Sequence, residues 1–294
     1  MISKIVRPAY FFLAPALLIL GLFFFAPVLA AFVLSLTDFD IYALADGSNA
    51  RWLGWENYRR LLSEPLFWRS LVNTFYFVGV GGPLTVVVSL SAALLVSSKL
   101  ARFKGLWRTI FFAPVVTTLV AVAIVWRYLY HTRYGTLNYA LGWLGIEPID
   151  WLGDSRWAMF AIILLAVWKN FGYNMVIFVA GLQSIPEEIY EAARIDGAKS
   201  WHTFWNIKLP LLAPTFFFVG VTTMIGYFQL FAEPYVMTQG GPLYSTYSVV
   251  LYMYEQGFRW WNIGFASAIA FVLFVIILAA TMIQVRLQRS GMHV

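Results

Sequence analysis

The chain has 294 residues, of which 61% are hydrophobic and only 12% charged, with a mean hydropathy of +0.74. A soluble domain of that size carries about twice the charged fraction, so a water-soluble globular protein is excluded and an integral membrane protein is expected. The net charge of +6 does not make a nucleic-acid binder, because Lys and Arg stand in short loops beside apolar runs, where their bias reports topology.

Six apolar runs have spanning length, about 20 residues for a ~30 Å hydrocarbon core. They fall near 10–36, 71–97, 110–130, 157–181, 210–232 and 264–285 and predict an all-α polytopic membrane protein with six transmembrane helices. The first run follows Lys4 and Arg7 and opens with Tyr10-Phe11-Phe12. Leu29-Ala30-Ala31 is a weak cleavage-like site, but the 27-residue run is too long for a signal-peptide core. It is read as a membrane helix.

Orientation follows from Lys and Arg. With an inside N-terminus, eleven of them lie in cytoplasmic segments and eight outside, and density decides more than the totals. Lys99, Arg102, Lys104 and Arg108 stand together without an acid, whereas the 37–70 loop mixes four basic residues with five acidic ones. Short loops carry the orientation rule, so both termini are expected in the cytoplasm. The 37–70 loop, with Trp52, Trp55, Tyr58, Phe67 and Trp68, predicts a short amphipathic helix at the interface. Further on, Met237-Thr238-Gln239-Gly240-Gly241-Pro242 predicts a tight turn after the fifth span.

Polar groups inside the spans cost free energy and default to a functional reading. Lys169 lies 13 residues before Leu182, about 20 Å from the inner surface at a rise of ~1.5 Å per residue. Asn170, Tyr173 and Asn174 share a face through i, i+3 and i+4 spacing, and Thr223 and Tyr227 are one turn apart on the fifth span. Amides, hydroxyls and an aromatic face are suitable for a hydroxyl-rich ligand. These six residues form either a substrate path or packing contacts between helices. Thr117 and Thr118 are weaker candidates, since Thr is routinely satisfied by its own helix. The fifth span also offers Gln229, and Glu233 at its outer end is a possible ion-pair partner for Lys169.

The stretch Gln183–Pro214 reads QSIPEEIYEAARIDGAKSWHTFWNIKLPLLAP. Ser184 and Glu187 have capping-box spacing, which predicts a helix from near Pro186 with Glu187, Glu188 and Glu191 toward its positive end. Gly197 after Asp196 predicts a break with positive φ, and Trp201, Phe204 and Trp205 a second short helix. Glu191-Ala192-Ala193, three residues, Gly197, nine residues, then Ile207-Lys208-Leu209-Pro210 closely resembles the EAA coupling loop of bacterial ABC importer permeases. The Thr238–Pro242 run, Trp55-Glu56-Asn57-Tyr58, Arg108 and Gly264-Phe265-Ala266-Ser267-Ala268 resemble the sugar-transporting branch, and the likeness covers nearly the whole chain.

That resemblance implies a type I ABC importer permease fold. It comprises an N-terminal helix and first outer loop over 1–70, a transport core over 71–285 with the coupling loop at 183–210, and a short tail at 286–294. It implies ATPase-coupling roles for Glu188, Glu191, Ala192, Ala193, Asp196, Gly197, Ile207, Leu209 and Pro210. The implied partners are a second permease of related fold, two ATP-binding subunits and a periplasmic or lipid-anchored solute-binding protein, besides membrane lipid. Glu191 is expected to meet an Arg or Lys of the ATPase. The middle of the fifth span and the Lys169–Tyr173 stretch correspond to the sugar site of the maltose member, from which Gly226 and Leu230 depart. The implied substrate is a mono- or oligosaccharide, or a sugar phosphate such as glycerol-3-phosphate, with which Lys169 is compatible.

The chemistry that is missing agrees. No G-x-x-x-x-G-K-[ST] run occurs, so ATP and Mg are expected on partner ATPase subunits and no cofactor on this chain. There is no cysteine, and His131, His202 and His293 lack metal-ligand spacing. An ion-coupled secondary transporter is the alternative class. It would call for inverted repeats and intramembrane acids, whereas the acids of this chain cluster in loops.

Overall fold

A computed structural model describes residues 12–98 and 100–291. Lys4, Arg7, the Tyr10-Phe11 start of the first span, Lys99, the Arg289 side chain and the tail from 292 lie outside the described residues. Among those described there is no strand, only an isolated bridge between Thr37 and Trp52. The helices form two compact units, residues 12–68 with Tyr252–Ile276, and Arg69–Leu251 with residues 277–291.

The first unit opens with α1, Phe12–Ser35, none of whose most apolar window is buried within the chain. Two short pieces, α2 (Ile41–Ala45) and a turn of 3₁₀ helix at Gly47–Asn49, precede the short amphipathic helix expected in this segment, α3 (Glu56–Ser63). Asp40 starts α2, its carboxylate accepting from the N–H groups of Tyr42 and Ala43 at 2.9 and 3.0 Å. Asn57 on α3 is buried and donates to the carbonyls of Ser35 and Thr37 at 2.9 and 2.7 Å, closing the open C-terminal end of α1. Gly264 meets the same corner. Its N–H donates to Phe39 at 2.8 Å, and a Cβ there would fall on the Thr37 carbonyl.

The second unit begins within α4 (Pro65–Ser97) and continues through α5 (Lys104–Val116), α6 (Leu119–Leu129), α7 (Thr136–Gly142) and α8 (Ala158–Gln183). Then come α9 (Glu187–Ile195), α10 (Ser200–Leu211), α11 (Ala213–Phe228) and α12 (Ala232–Met237). After α13 (Val249–Tyr254), the last helix is α14 (Ile263–Gly291). Helix α8 is the axis of this unit, with α4, α5 and α11 packed around it. Small residues permit the close approach. Ala161, Ala166 and, on α4, Ala92 and Ala93 are buried, and a Cβ on Gly172 would fall on the Phe111 carbonyl of α5.

Four helices (α1, α4, α8 and α14) are individually long and apolar enough to span a membrane, and two bent pairs bring the number to six if each is one span. The first bent pair departs from the sequence reading. The run 110–130 was expected to be continuous, but α5 and α6 meet at 99° across Thr117 and Thr118. Pro114 removes a backbone donor, the two threonines are extended, and Thr117 Oγ1 turns back to the Pro114 carbonyl at 2.6 Å. The second pair, α10 and α11, bends by 64° at Leu212, with Pro214 in the first turn of α11. Ser184 also differs from expectation. It closes α8, donating to the Gly181 carbonyl at 2.8 Å, and α9 starts after Pro186 without a side-chain cap. The helix-end bond and the capping box put Ser at the same spacing, so sequence favoured the wrong one.

Candidate functional site

A cavity of about 450 Å³, lined by apolar, aromatic and polar side chains, opens between α4, α8, α11 and α12. Asn170, Tyr173 and Asn174 reach it from α8, Thr223 and Tyr227 from α11, so five of the six path candidates share one wall. Their bonds fix that wall. Asn174 donates to Thr223 Oγ1 at 2.9 Å, and the Tyr227 hydroxyl lies 2.6 Å from Thr85 Oγ1 on α4. Asn170 donates to the Ala166 carbonyl one turn back at 2.8 Å. Phe77 lays its ring 4.8 Å from that of Tyr227, and a Cβ on Gly81 would stand 3.0 Å from the same ring. Tyr173 is half exposed, whereas Tyr227 is deep.

Lys169 is placed differently. It is buried, and its ammonium donates to the carbonyls of Pro114, Val115 and Thr117 at 2.6, 3.0 and 2.8 Å. These carbonyls stand at the C-terminal end of α5, where a cation is favoured. It makes no ion pair with Glu233. The residue after the break, Leu119, belongs to the cavity wall, so Lys169 touches the cavity through the α5–α6 elbow. Phe77, Leu119, Thr222, Phe231 and Ala232 line the cavity although they are unmarked in apolar runs, and Gln229, which the fifth span offers in the sequence, joins them just past the end of α11 at Phe228. Glu233, in the first turn of α12, lines the cavity although it was expected only near the outer end of a span.

The hairpin 187–211 is the second feature. Glu188, Glu191 and Ala192 lie exposed on α9, while Ala193 is buried. After Asp196, Gly197 adopts φ +73°, where no neighbour would meet a side chain and only the backbone demands glycine. Arg194 stands 3.7 Å from Glu187 and 3.6 Å from Glu191. Burial, with the Glu187 charge beside it, pushes the Tyr190 phenol above its ordinary pKa, and Lys208 lies over the same ring. Ile207, Leu209 and Pro210 lie in the continuous second arm α10, not in a loop after it. Beyond the bend, a Cβ on Gly181 of α8 would stand 2.5 Å from Thr215 Oγ1 of α11, so the two helices touch beside the hairpin.

The turn after α12 is tied back to α4. Gly240 has φ +81°, Thr238 and Thr246 hydroxyls meet at 2.7 Å, and Asn73 donates to the carbonyls of Tyr244 and Tyr247 at 2.7 and 3.0 Å.

Long apolar helices, a cavity among them that carries amides and hydroxyls, and an exposed polar hairpin are features of an integral membrane transport component. The chain belongs to the family described as binding-protein-dependent transport system inner membrane component, which it matches over residues 85–290. It is 36% identical to the lactose transport system permease protein of Rhizobium radiobacter, with 94% of this chain and 92% of that one aligned. It is 35% identical to the sn-glycerol-3-phosphate transport system permease protein of Agrobacterium fabrum, covering 97% and 95%. The trehalose/maltose transport system permease protein of Thermococcus litoralis is 34% identical over 95% and 93%. In fold it is similar to a bacterial ABC transporter involved in the import of the acidic polysaccharide alginate, with a TM-score of 0.77 at 21% identity over 98% and 96% of the two chains.

Proposed function

We propose that this chain is the permease subunit of an ATP-driven ABC importer that carries a carbohydrate across the bacterial cytoplasmic membrane. The observation that carries the reading is the near full-length likeness to sugar transport permeases at 34–36% identity. The two bent pairs each count as one span, giving six, with both termini and the hairpin in the cytoplasm. A second permease, two ATPase subunits that bind ATP and Mg, and an external solute-binding protein complete the machine.

In this reading the hairpin is a lever seated in an ATPase cleft. Glu188, Glu191, Ala192, Ala193, Asp196, Gly197, Ile207, Leu209 and Pro210 shape it, and Glu191 meets a basic residue of the ATPase. Closure of the ATPase pair pushes α9 and α10. The bend at Leu212 hands that displacement to α11, whose Thr223 and Tyr227 wall the cavity. The wall thereby moves against Asn170, Tyr173 and Asn174 of α8, and access changes sides. Lys169 holds the elbow that borders this path.

The test is affinity purification of the tagged chain from native membranes in mild detergent, with every co-purifying subunit identified. An ATPase and a second permease are expected, and both should be lost with Glu191→Lys. Recovery of the chain alone, transport-competent in liposomes without ATP, would bring the ion-coupled secondary transporter forward instead.

A further inference from the structure

We propose that the cavity wall supplied by this chain selects a carbohydrate that carries no negative charge, and that Glu233 is the residue that accepts its hydroxyl groups. This rests on the importer reading and narrows its substrate class. The argument is an inventory of charges and donors at the cavity.

Glu233 lines the cavity from the first turn of α12 and is only 9% exposed. It makes no ion pair at contact distance, the donor its carboxyl faces is its own backbone N–H, and the charge of Lys169 acts on it from farther off. A carboxylate offers about four acceptor directions and no donor, so most of its capacity points to a ligand that brings O–H groups.

The other charged group nearby cannot serve an anion. An ammonium has three donors, and all three of Lys169 are occupied by the carbonyls of Pro114, Val115 and Thr117. A phosphate or uronate could recruit it only by undoing the cap on the α5–α6 elbow. Lys169 is also not part of the cavity lining.

What remains of the lining is neutral. Asn170, Thr222 and Gln229 offer amides and a hydroxyl, and Tyr173 and Phe231 offer aromatic faces for a sugar ring. An anion entering this wall leaves water, gains no free cation and approaches a buried carboxylate, which is unfavourable on each count. A neutral polyol replaces its water bonds with charge-assisted ones to Glu233. Lys169 in the sequence suggests that a sugar phosphate is compatible; the occupied ammonium removes that suggestion.

The experiment has two arms on the assembled complex. In the first, the solute-binding protein that co-purifies with the complex is denatured and its ligand is identified by mass spectrometry. A carbohydrate free of phosphate, sulfate and carboxylate is expected; an anionic one overturns the proposal even though the importer reading stands. In the second, that carbohydrate is taken up by proteoliposomes containing wild type, Glu233→Gln or Glu233→Asp. Glu233→Gln is expected to raise the KM of uptake about tenfold, or ~1.4 kcal/mol of lost binding, with Glu233→Asp in between. Both variants should be extracted at wild-type yield, and the complex should elute as one species. Unchanged uptake by Glu233→Gln overturns the assignment of Glu233. If no ATPase or binding protein co-purifies, the importer reading itself has failed.

Discussion

The hairpin and the cavity wall stand at opposite extremes of bonding within the same unit. In the hairpin, Arg194 reaches Glu187 and Glu191 only at 3.7 and 3.6 Å, with all three side chains more than half exposed. Such pairs contribute little, since solvent screens them. Ile195 and Trp201 are 86% and 67% exposed. At the cavity and the elbow beside it, by contrast, Asn174, Tyr227 and Lys169 are buried and each is bonded at 3.0 Å or less to another segment. A surface that the chain does not use for itself is available for a partner. Polar groups that the chain bonds completely hold helices in place and leave few donors for a ligand. Substitutions of the bonded groups should therefore act mainly through folding, and those in the hairpin mainly through coupling.

The largest effect is expected at Gly172. Gly172→Leu places a branched side chain on the Phe111 carbonyl, where backbone and not a movable side chain stands in the way. The α5–α8 contact must separate, and a loss of about 4 kcal/mol or more is expected for overpacking of this severity. Membrane fractions should contain little extractable monodisperse protein. Wild-type yield and thermal stability would show that α5 and α8 are not in backbone contact.

Lys169→Met comes next. It keeps the length of the side chain but leaves the Val115 and Thr117 carbonyls at the elbow without their donor, while Pro114 keeps the Thr117 hydroxyl, at about 1–3 kcal/mol for each left unsatisfied. Thermal unfolding of the detergent-solubilised protein should occur several degrees lower and uptake should fall steeply. Lys169→Arg, with its donors in a fixed fork, should recover part of the stability. If Lys169→Met lost uptake of substrate while its stability stayed at the wild-type level, Lys169 would act on the ligand and not on the elbow.

Legibility in the sequence divides along the same line. The hairpin is marked by local features, such as Gly197 after Asp196 and the Glu191-Ala192-Ala193 run, because its geometry depends on residues next to one another. The α8 face of Asn170, Tyr173 and Asn174 is also legible, since i, i+3 and i+4 spacing needs only a helix. The elbow at Thr117 is not, because Pro114 in an apolar run is tolerated within many membrane helices. The donor that makes the break stable comes from more than 50 residues away. Glu233 was visible as a charge beside an apolar run. Its entry into the cavity depends on α11 stopping at Phe228, which no residue pattern announces.

Smaller effects on stability, yet clear ones on function, are expected in the hairpin. Glu191→Lys removes one loose partner of Arg194 and should leave the chain's own unfolding temperature nearly unchanged. Uptake should nonetheless fall at least about tenfold, equivalent to ~1.4 kcal/mol of lost coupling, with the ATPase poorly retained. Gly197→Val acts through the backbone, because φ +73° costs a β-branched residue about 1–3 kcal/mol although the space is open. Normal uptake with normal ATPase retention in both variants would remove the lever from the mechanism.

The smallest effect is expected at Thr85, and it separates two roles of one hydroxyl. Thr85 Oγ1 donates to the Gly81 carbonyl at 2.8 Å, the ordinary back-bond of a helical threonine, so the 2.6 Å contact to Tyr227 has Tyr227 as donor. Thr85→Val keeps the shape and deletes the acceptor, leaving the Tyr227 hydroxyl to find another. Direct loss of one such bond corresponds to about 1 kcal/mol, a shift of a few degrees in unfolding temperature. Asn170 stands beside the same hydroxyl and is the nearest replacement, which would draw its amide from the Ala166 carbonyl and alter the wall facing a ligand. A modest stability loss with a larger change in the KM of uptake is therefore expected. Equal small changes in both would mean that Thr85 only packs, and that the Tyr227 ring, held between Phe77 and Gly81, is positioned without its hydroxyl.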